Sequence, residues 1–316
     1  MPVETGQQLI KLEDLHQFDN FEILAKQVVE GTIIGLHKSP FHGFSVEFAE
    51  HRLFNNGDPL KNIDWKVYGR TDKLFVKRFE EETNLRCRII LDVSSSMYYP
   101  IEGNPASKLV TNKLNFSAVS AAALMHIFKK QRDAVGLSMF TDELLVHTNA
   151  KSTTKHHNML LAKIEELVRN PEQNRPTDAA VSLHRIADDI HKRSLVILFS
   201  DMFDKTEDQS ALFDALQHLK HAKHEVIVFH VGDYATEIDF EFDNRPYHFV
   251  DMETGEEVKL TSNKIKQQYK AQMEKRKSDI YLKCAQFKID FVEADIRKDF
   301  TQILLPYLNK RTRMNV

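Results

Sequence analysis

At 316 residues, 42% of them hydrophobic, the chain can bury a large core, as one elaborated α/β domain or as two domains. Its 43 Lys and Arg stand against 46 Asp and Glu, and a net charge of −3 gives no global field toward nucleic acid or an anionic membrane. Cys87 and Cys284 lie far apart without Cys-x-x-Cys spacing, which argues against a disulfide framework and a structural zinc site and fits a reducing compartment.

In chain order, Phe18, Phe21, Ile23, Leu24, Val28 and Val29 recur near helical spacing and predict a first helix that Gly31 interrupts. Pro40 and Gly43 then lead into alternating Phe44, Val46 and Phe48, an extended segment. A turn signal at Arg52 to Asp58 follows, and Leu74 to Phe79 reads as a strand. Between them Trp65, the only tryptophan, is expected to anchor the segment on the main sheet, with Asp58, Asp64 and Arg70 capping turns or forming ion pairs. Losing that indole by Trp65→Ala would then cost about 3–5 kcal/mol.

From Arg88 onward apolar runs of strand and helix length alternate, the signature of crossover units and of a doubly wound, mostly parallel sheet. Strands are expected at Arg88 to Val93, Ala134 to Phe140, Ser194 to Phe199 and Glu225 to Val231. Helices fit Leu114 to Lys130, Lys155 to Val168, Asp178 to His191 and Gln209 to Leu219. The first of these is apolar on nearly every side and should be deeply covered. Leu144 to Thr148 follows its strand after three residues, as an antiparallel edge strand would. A hairpin at Tyr247 to Val250 and Glu257 to Leu260, a Lys-rich helix from Ser262 to Phe287, a strand at Lys288 to Val292 and a helix from Phe300 complete the chain. Lys310-Arg311-Thr312-Arg313 complements the negative end of that last helix. The expected organisation is an amino-terminal extension over residues 1–86, packed on an α/β domain over 87–316 with an insertion at about 233–262.

The chemistry concentrates at Ile89-Ile90-Leu91-Asp92-Val93-Ser94-Ser95-Ser96, an apolar strand that runs into an Asp-x-Ser-x-Ser turn. One carboxylate and two neutral hydroxyls facing the same way suit a hard ion, Mg2+ or Mn2+, rather than zinc. A second apolar run, Leu195 to Phe199, delivers Asp201 at its carboxyl end, and Arg175-Pro176-Thr177-Asp178 offers the Thr177 hydroxyl. Ligands of open parallel sheets bind outside the carboxyl ends of strands where the strand order reverses, so Asp92 and Asp201 meet there if their strands are neighbours. Asp201 is expected to point toward solvent and the ion, so that its loss would cost little stability and relieve repulsion from Asp92.

These residues resemble the von Willebrand factor A domain with its metal-ion-dependent adhesion site, which implies Asp92, Ser94, Ser96, Thr177 and Asp201 as the metal positions. Met202-Phe203 departs from that pattern, since many A domains place Gly there. Ahead of the motif, Arg52, Gly57-Asp58, Ile63-Asp64-Trp65, Gly69-Arg70, Leu74-Phe75-Val76-Lys77 and Glu80-Glu81-Glu82 resemble the bacterial "domain of unknown function 58" family. That resemblance implies a partner or adaptor role beside a MoxR-type AAA+ ATPase. Many relatives carry amino-terminal membrane helices. Here no stretch reaches the roughly 18 apolar residues of a span, and a cytoplasmic protein without a membrane segment is expected.

No Gly-x-Ser-x-Gly elbow, phosphate loop or His-Glu-x-x-His pair is present, so the expectation is a metal-dependent protein-interaction module and no enzyme. A metal-dependent hydrolase or phosphatase, and a metal-free scaffold, are the alternatives. His37 and His42 flank Pro40 in a loop without an obvious third ligand. His156 and His157, and His218, His221 and His224, are expected to be solvated surface residues.

Overall fold

The computed structural model describes residues 21–35, 48–54, 63–79, 85–101, 110, 112–169, 179–202, 210–221, 223–252 and 255–314. The chain divides into two compact units. The smaller, within residues 38–84, pairs β1 (Phe48–Leu53) with β2 (Phe75–Phe79) antiparallel and places the short helix α2 (Trp65–Thr71) between them in sequence. β1 covers ground expected to be partly turn. Asp64 caps α2 as expected, accepting from the backbone N–H groups of Lys66 at 3.0 Å and Val67 at 3.3 Å. Gly57, Asp58 and Glu80 to Glu82 lie outside the described residues. Trp65 is 63% exposed, with an edge contact to Tyr68.

The larger unit starts at Leu85 and also takes in α1 (Phe21–Gly35), which the expected boundary at residue 86 had grouped with the extension. α1 runs through Gly31, because Leu24, Ala25, Val28 and Val29 form a buried stripe whose packing outweighs the roughly 1 kcal/mol propensity cost of one glycine. A six-stranded sheet forms the centre, in the order β10 (Asp290–Asp295), β7 (Glu225–Gly232), β6 (Leu195–Ser200), β3 (Arg86–Asp92), β4 (Ala134–Phe140) and β5 (Leu144–His147). β5 is the expected antiparallel edge, and the other pairings are parallel. β10 begins two residues later than expected.

The four central strands, β7, β6, β3 and β4, are buried on both faces because helices cover both. α3 (Lys113–Lys130), packed between the sheet, α1 and α4 (Thr154–Arg169), buries almost its whole length. Phe116 stacks on Phe300, and Phe128 meets Tyr307 of α8 (Thr301–Met314) edge-on. The opposite face buries Ile90, Phe140, Val196, Leu198 and Val228 against α5 (Ala179–Asp189), α6 (Ser210–His221) and Ile280 and Cys284 of α7 (Ser262–Gln286). The expected hairpin is β8 (Pro246–Val250) paired with β9 (Glu257–Thr261); Phe240, Phe242, Tyr247 and Phe249 cluster about it. The basic run near the carboxyl end lies within α8, where Lys310 pairs with Glu225 and Asp290, and Arg311 pairs with Asp133. Among the described residues no helix is long and apolar enough to cross a membrane.

Three histidines expected at the surface are interior. His224 is buried and accepts the Ser194 N–H at 3.1 Å, while His156 bonds the Val135 carbonyl at 2.9 Å. His157 is 1% exposed, and neither ring nitrogen has a hydrogen-bond partner among the described residues. Burial, with His156 and Lys129 adding, pulls His157 down to about 4. Its depressed folded-state value makes the contribution complete above the unfolded value near 6.5, and the contribution is lost as pH falls toward 4. Thermal melts between pH 7.5 and 5 should therefore show a falling melting temperature, and the fall should be smaller in His157→Leu.

Two substitutions separate packing from exposure. A Cβ at Gly136 would lie 2.7 Å from the Thr148 carbonyl oxygen and 2.8 Å from the buried Arg88 guanidinium, so Gly136→Ala should cost roughly 1–3 kcal/mol. Trp65→Ala should cost under about 1 kcal/mol by denaturant titration, as expected of an exposed side chain.

Candidate metal centre

β3 and β6 are parallel neighbours, with Leu91 opposite Phe199, so Asp92 and Asp201 emerge side by side at the carboxyl ends of adjacent strands. The chain passes from β3 to β4 on one side and returns to β6 on the other, so this is the switch point of the sheet. Asp92 is fully buried. Its Oδ1 accepts the Ser94 N–H at 3.0 Å and its Oδ2 accepts the Ser200 hydroxyl at 2.6 Å. Ser95–Tyr98 then form a 3₁₀ turn that brings the Ser94 and Ser96 hydroxyls to 3.1 Å.

Asp201 does not face solvent. It is 2% exposed, and its Oδ2 accepts from the Lys113 ammonium at 2.8 Å. Lys113, the first residue of α3, is itself fully buried and also donates to Glu237 Oε1 at 2.6 Å. Glu237 belongs to a π-helical turn, Tyr234–Ile238, that directly follows β7, and its Oε2 accepts the Asp233 N–H at 2.7 Å. Tyr99 closes one side: its hydroxyl donates to Thr236 Oγ1 at 2.9 Å, and its carbonyl takes the Lys113 N–H. Asp233 is paired separately with Arg297 at 2.6 Å.

After Asp201, Met202 takes φ 55, the left-handed region that favours glycine. The conformation is held because the Met202 N–H bonds Ser200 Oγ at 2.9 Å and its carbonyl accepts from Arg276 at 3.2 Å.

The charges follow from this geometry. Burial, and then the nearby Asp201 carboxylate, push Asp92 up to about 7 against the hydrogen bonds of Ser200 and Ser94. Burial would lower Lys113, but Asp201 and Glu237 outweigh it and hold the ammonium charged. Burial pushes Glu237 up despite Lys113. His230, at the end of β7, is kept neutral by burial, at about 4.

Of the five positions expected to hold a metal, Asp92, Ser94, Ser96 and Asp201 come together, while Thr177 lies outside the described residues. Among the described residues no three His, Cys, Asp or Glu are grouped as a metal site. A hard cation does not require such a group when hydroxyls supply the remaining oxygens. The donor set fits a small divalent ion on one observation of charge. Among the described residues of the cluster, Asp201 and Glu237 share one ammonium, while burial and the Asp201 carboxylate push the neighbouring Asp92 up toward its protonated form, a cost that a dication beside Asp92 would offset. Sequence reasoning missed Lys113 and Glu237; the only signal was a lysine set directly before the most apolar helix.

Fold and site together define a doubly wound α/β protein with a carboxylate and hydroxyl cluster at its switch point. The chain belongs to the family described as "Protein of unknown function DUF58", whose model matches residues 50–279. Uncharacterized proteins of Mycobacterium bovis and Mycobacterium tuberculosis are 22% identical over 212 residues, 67% of this chain; the chain spans 63% of the length of these curated relatives. Among solved structures, BatB from Bacteroides thetaiotaomicron is similar at 15% identity and TM-score 0.40, covering 72% of this chain and 99% of that one. The SpRpn10 VWA domain is similar at 12% identity and TM-score 0.33, covering 47% and 75%.

The buried pair reverses the stability expected of Asp201. Removing that carboxylate takes one of two ion-pair carboxylates from the fully buried Lys113, so Asp201→Ala should cost about 3–5 kcal/mol without metal. In a double-mutant cycle with Lys113→Met, the double variant should be less destabilised than the sum of the two singles.

Proposed function

We propose that this chain is a metal-dependent protein-interaction module, with Asp92, Ser94, Ser96, Thr177 and Asp201 holding one Mg2+ or Mn2+ at the switch point of the sheet. The observation that carries the reading is the placement of Asp92 and Asp201 on adjacent parallel strand ends beside the Ser94 and Ser96 hydroxyls. When bound, the ion supplies a positive centre at which a partner carboxylate can complete the coordination. The protein's own part is to hold the ligand oxygens in place. Ser200 and the Ser94 N–H fix both oxygens of Asp92, and Lys113 fixes Asp201.

The partner class implied by the family resemblance is a MoxR-type AAA+ ATPase, with this chain as its adaptor. A cytoplasmic setting belongs to the same reading and fits two buried, unpaired cysteines. The chain is read as a binding module and not as an enzyme; Mn2+-dependent turnover of phosphate esters or peptides that disappears in Asp92→Ala would replace this reading.

The test is calorimetric titration of the purified chain with Mg2+ and Mn2+, joined to pull-downs from native extract with and without chelator. One ion should bind with a Kd in roughly the micromolar-to-millimolar range. Binding should be lost in a folded Asp92→Ala variant, and the captured partner should be released by chelator. A wild-type chain that binds neither ion at millimolar concentration would falsify the metal reading.

A further inference from the structure

We infer that Lys113 is a resident cation of this site, one that sets how tightly the Asp92 and Asp201 cluster takes a divalent ion and links that setting to the turn carrying Glu237. The inference rests on the metal reading and adds a regulator to it.

The position of Lys113 is energetically unfavourable on its own. A lysine at the first position of a helix sits at the positive end of the helix dipole, and a fully buried ammonium loses its hydration. Neither cost serves packing, since a methionine would fill similar space. The two carboxylates at 2.8 Å and 2.6 Å offset both costs, so the ammonium acts here as part of a charge cluster.

Asp201 is therefore a shared ligand. A divalent ion engaging that carboxylate meets an ammonium already bonded to one of its oxygens, and the two cations repel. Lys113 thus weakens loading and keeps it reversible. Glu237 provides the place to which the ammonium can shift. Its Oε1 already accepts from Lys113, and its Oε2 is fixed by the Asp233 N–H at 2.7 Å. With an ion bound, Asp201 would turn from Lys113 and the ammonium would bond Glu237 more tightly. Because Glu237 lies in the Tyr234–Ile238 turn, whose Thr236 also holds the Tyr99 hydroxyl, the surface beside the site registers loading.

The test compares Mg2+ and Mn2+ affinity by calorimetry, and melting temperature with Mg2+ or chelator, across wild type, Lys113→Met, Lys113→Arg and Glu237→Gln. Lys113→Met should melt lower without metal, bind the ions roughly tenfold tighter or more, and gain a larger Mg2+-induced rise than wild type. Lys113→Arg, which keeps the charge, should stay within about threefold of wild type, and Glu237→Gln should bind roughly threefold weaker or more. A folded Lys113→Met with unchanged or weaker affinity overturns the inference and leaves the metal reading standing, provided wild type binds. If Lys113→Met does not fold, Glu237→Gln decides: weaker binding upholds the inference, and equal or tighter binding overturns it. If neither wild type nor any variant binds an ion, the metal reading fails and this inference with it.

Discussion

Like charges brought together at the carboxyl ends of two parallel strands are the constraint on which the rest of this site depends. The β3–β6 pairing places Asp92 and Asp201 side by side under a layer of structure that excludes water. Two buried carboxylates cannot both stay ionised at low cost without a compensating positive charge. Part of that compensation comes from Lys113, which reaches Asp201 from the start of α3 and Glu237 beyond β7. Three elements distant in sequence therefore close over one charge cluster, and neutral donors from Ser94 and Ser200 hold Asp92. A buried ion pair of this kind is weak evidence for stability, and its better-attested use is to fix a specific arrangement. The arrangement fixed here is a buried cluster of oxygens in which Asp201 and Glu237 share the Lys113 ammonium beside Asp92.

The sheet was legible in the sequence because each strand is a continuous apolar run of the length expected when both faces are covered, as Leu195–Ser200 illustrates. The antiparallel β5 was legible from the three residues that separate it from β4. Asp92 and Asp201 could be placed because the residue that ends a buried parallel strand can go only to one edge of the sheet. Lys113 could not be placed. A lysine beside the most apolar helix of the chain reads as a solvated first residue, and only the tertiary closure by Asp201 and Glu237 makes its burial tolerable. Glu237 was hidden for the same reason: it sits in a π-helical turn with no local pattern.

The misplaced aromatic and imidazole groups share a cause. Trp65 has the size of a core residue, yet it begins a seven-residue helix none of whose residues is buried. His157 and His224 look polar by type, but helix packing on the sheet encloses them, and neutral imidazole tolerates this where a carboxylate would not. Residue type sets an average burial, and the cover supplied by neighbouring elements sets the actual one. The sequence pattern could not report that cover.

The central claim is that the oxygens of Asp92, Ser94, Ser96 and Asp201 hold one divalent ion beside the Lys113 ammonium. The most direct measurement is a crystal structure grown with Mn2+, with anomalous scattering recorded for manganese. The account predicts a single anomalous peak within about 2–2.5 Å of oxygens from this cluster or of waters they hold, with Lys113 still bonded to Glu237. Well-ordered density for all four side chains with no manganese peak among them, at millimolar Mn2+, would contradict it.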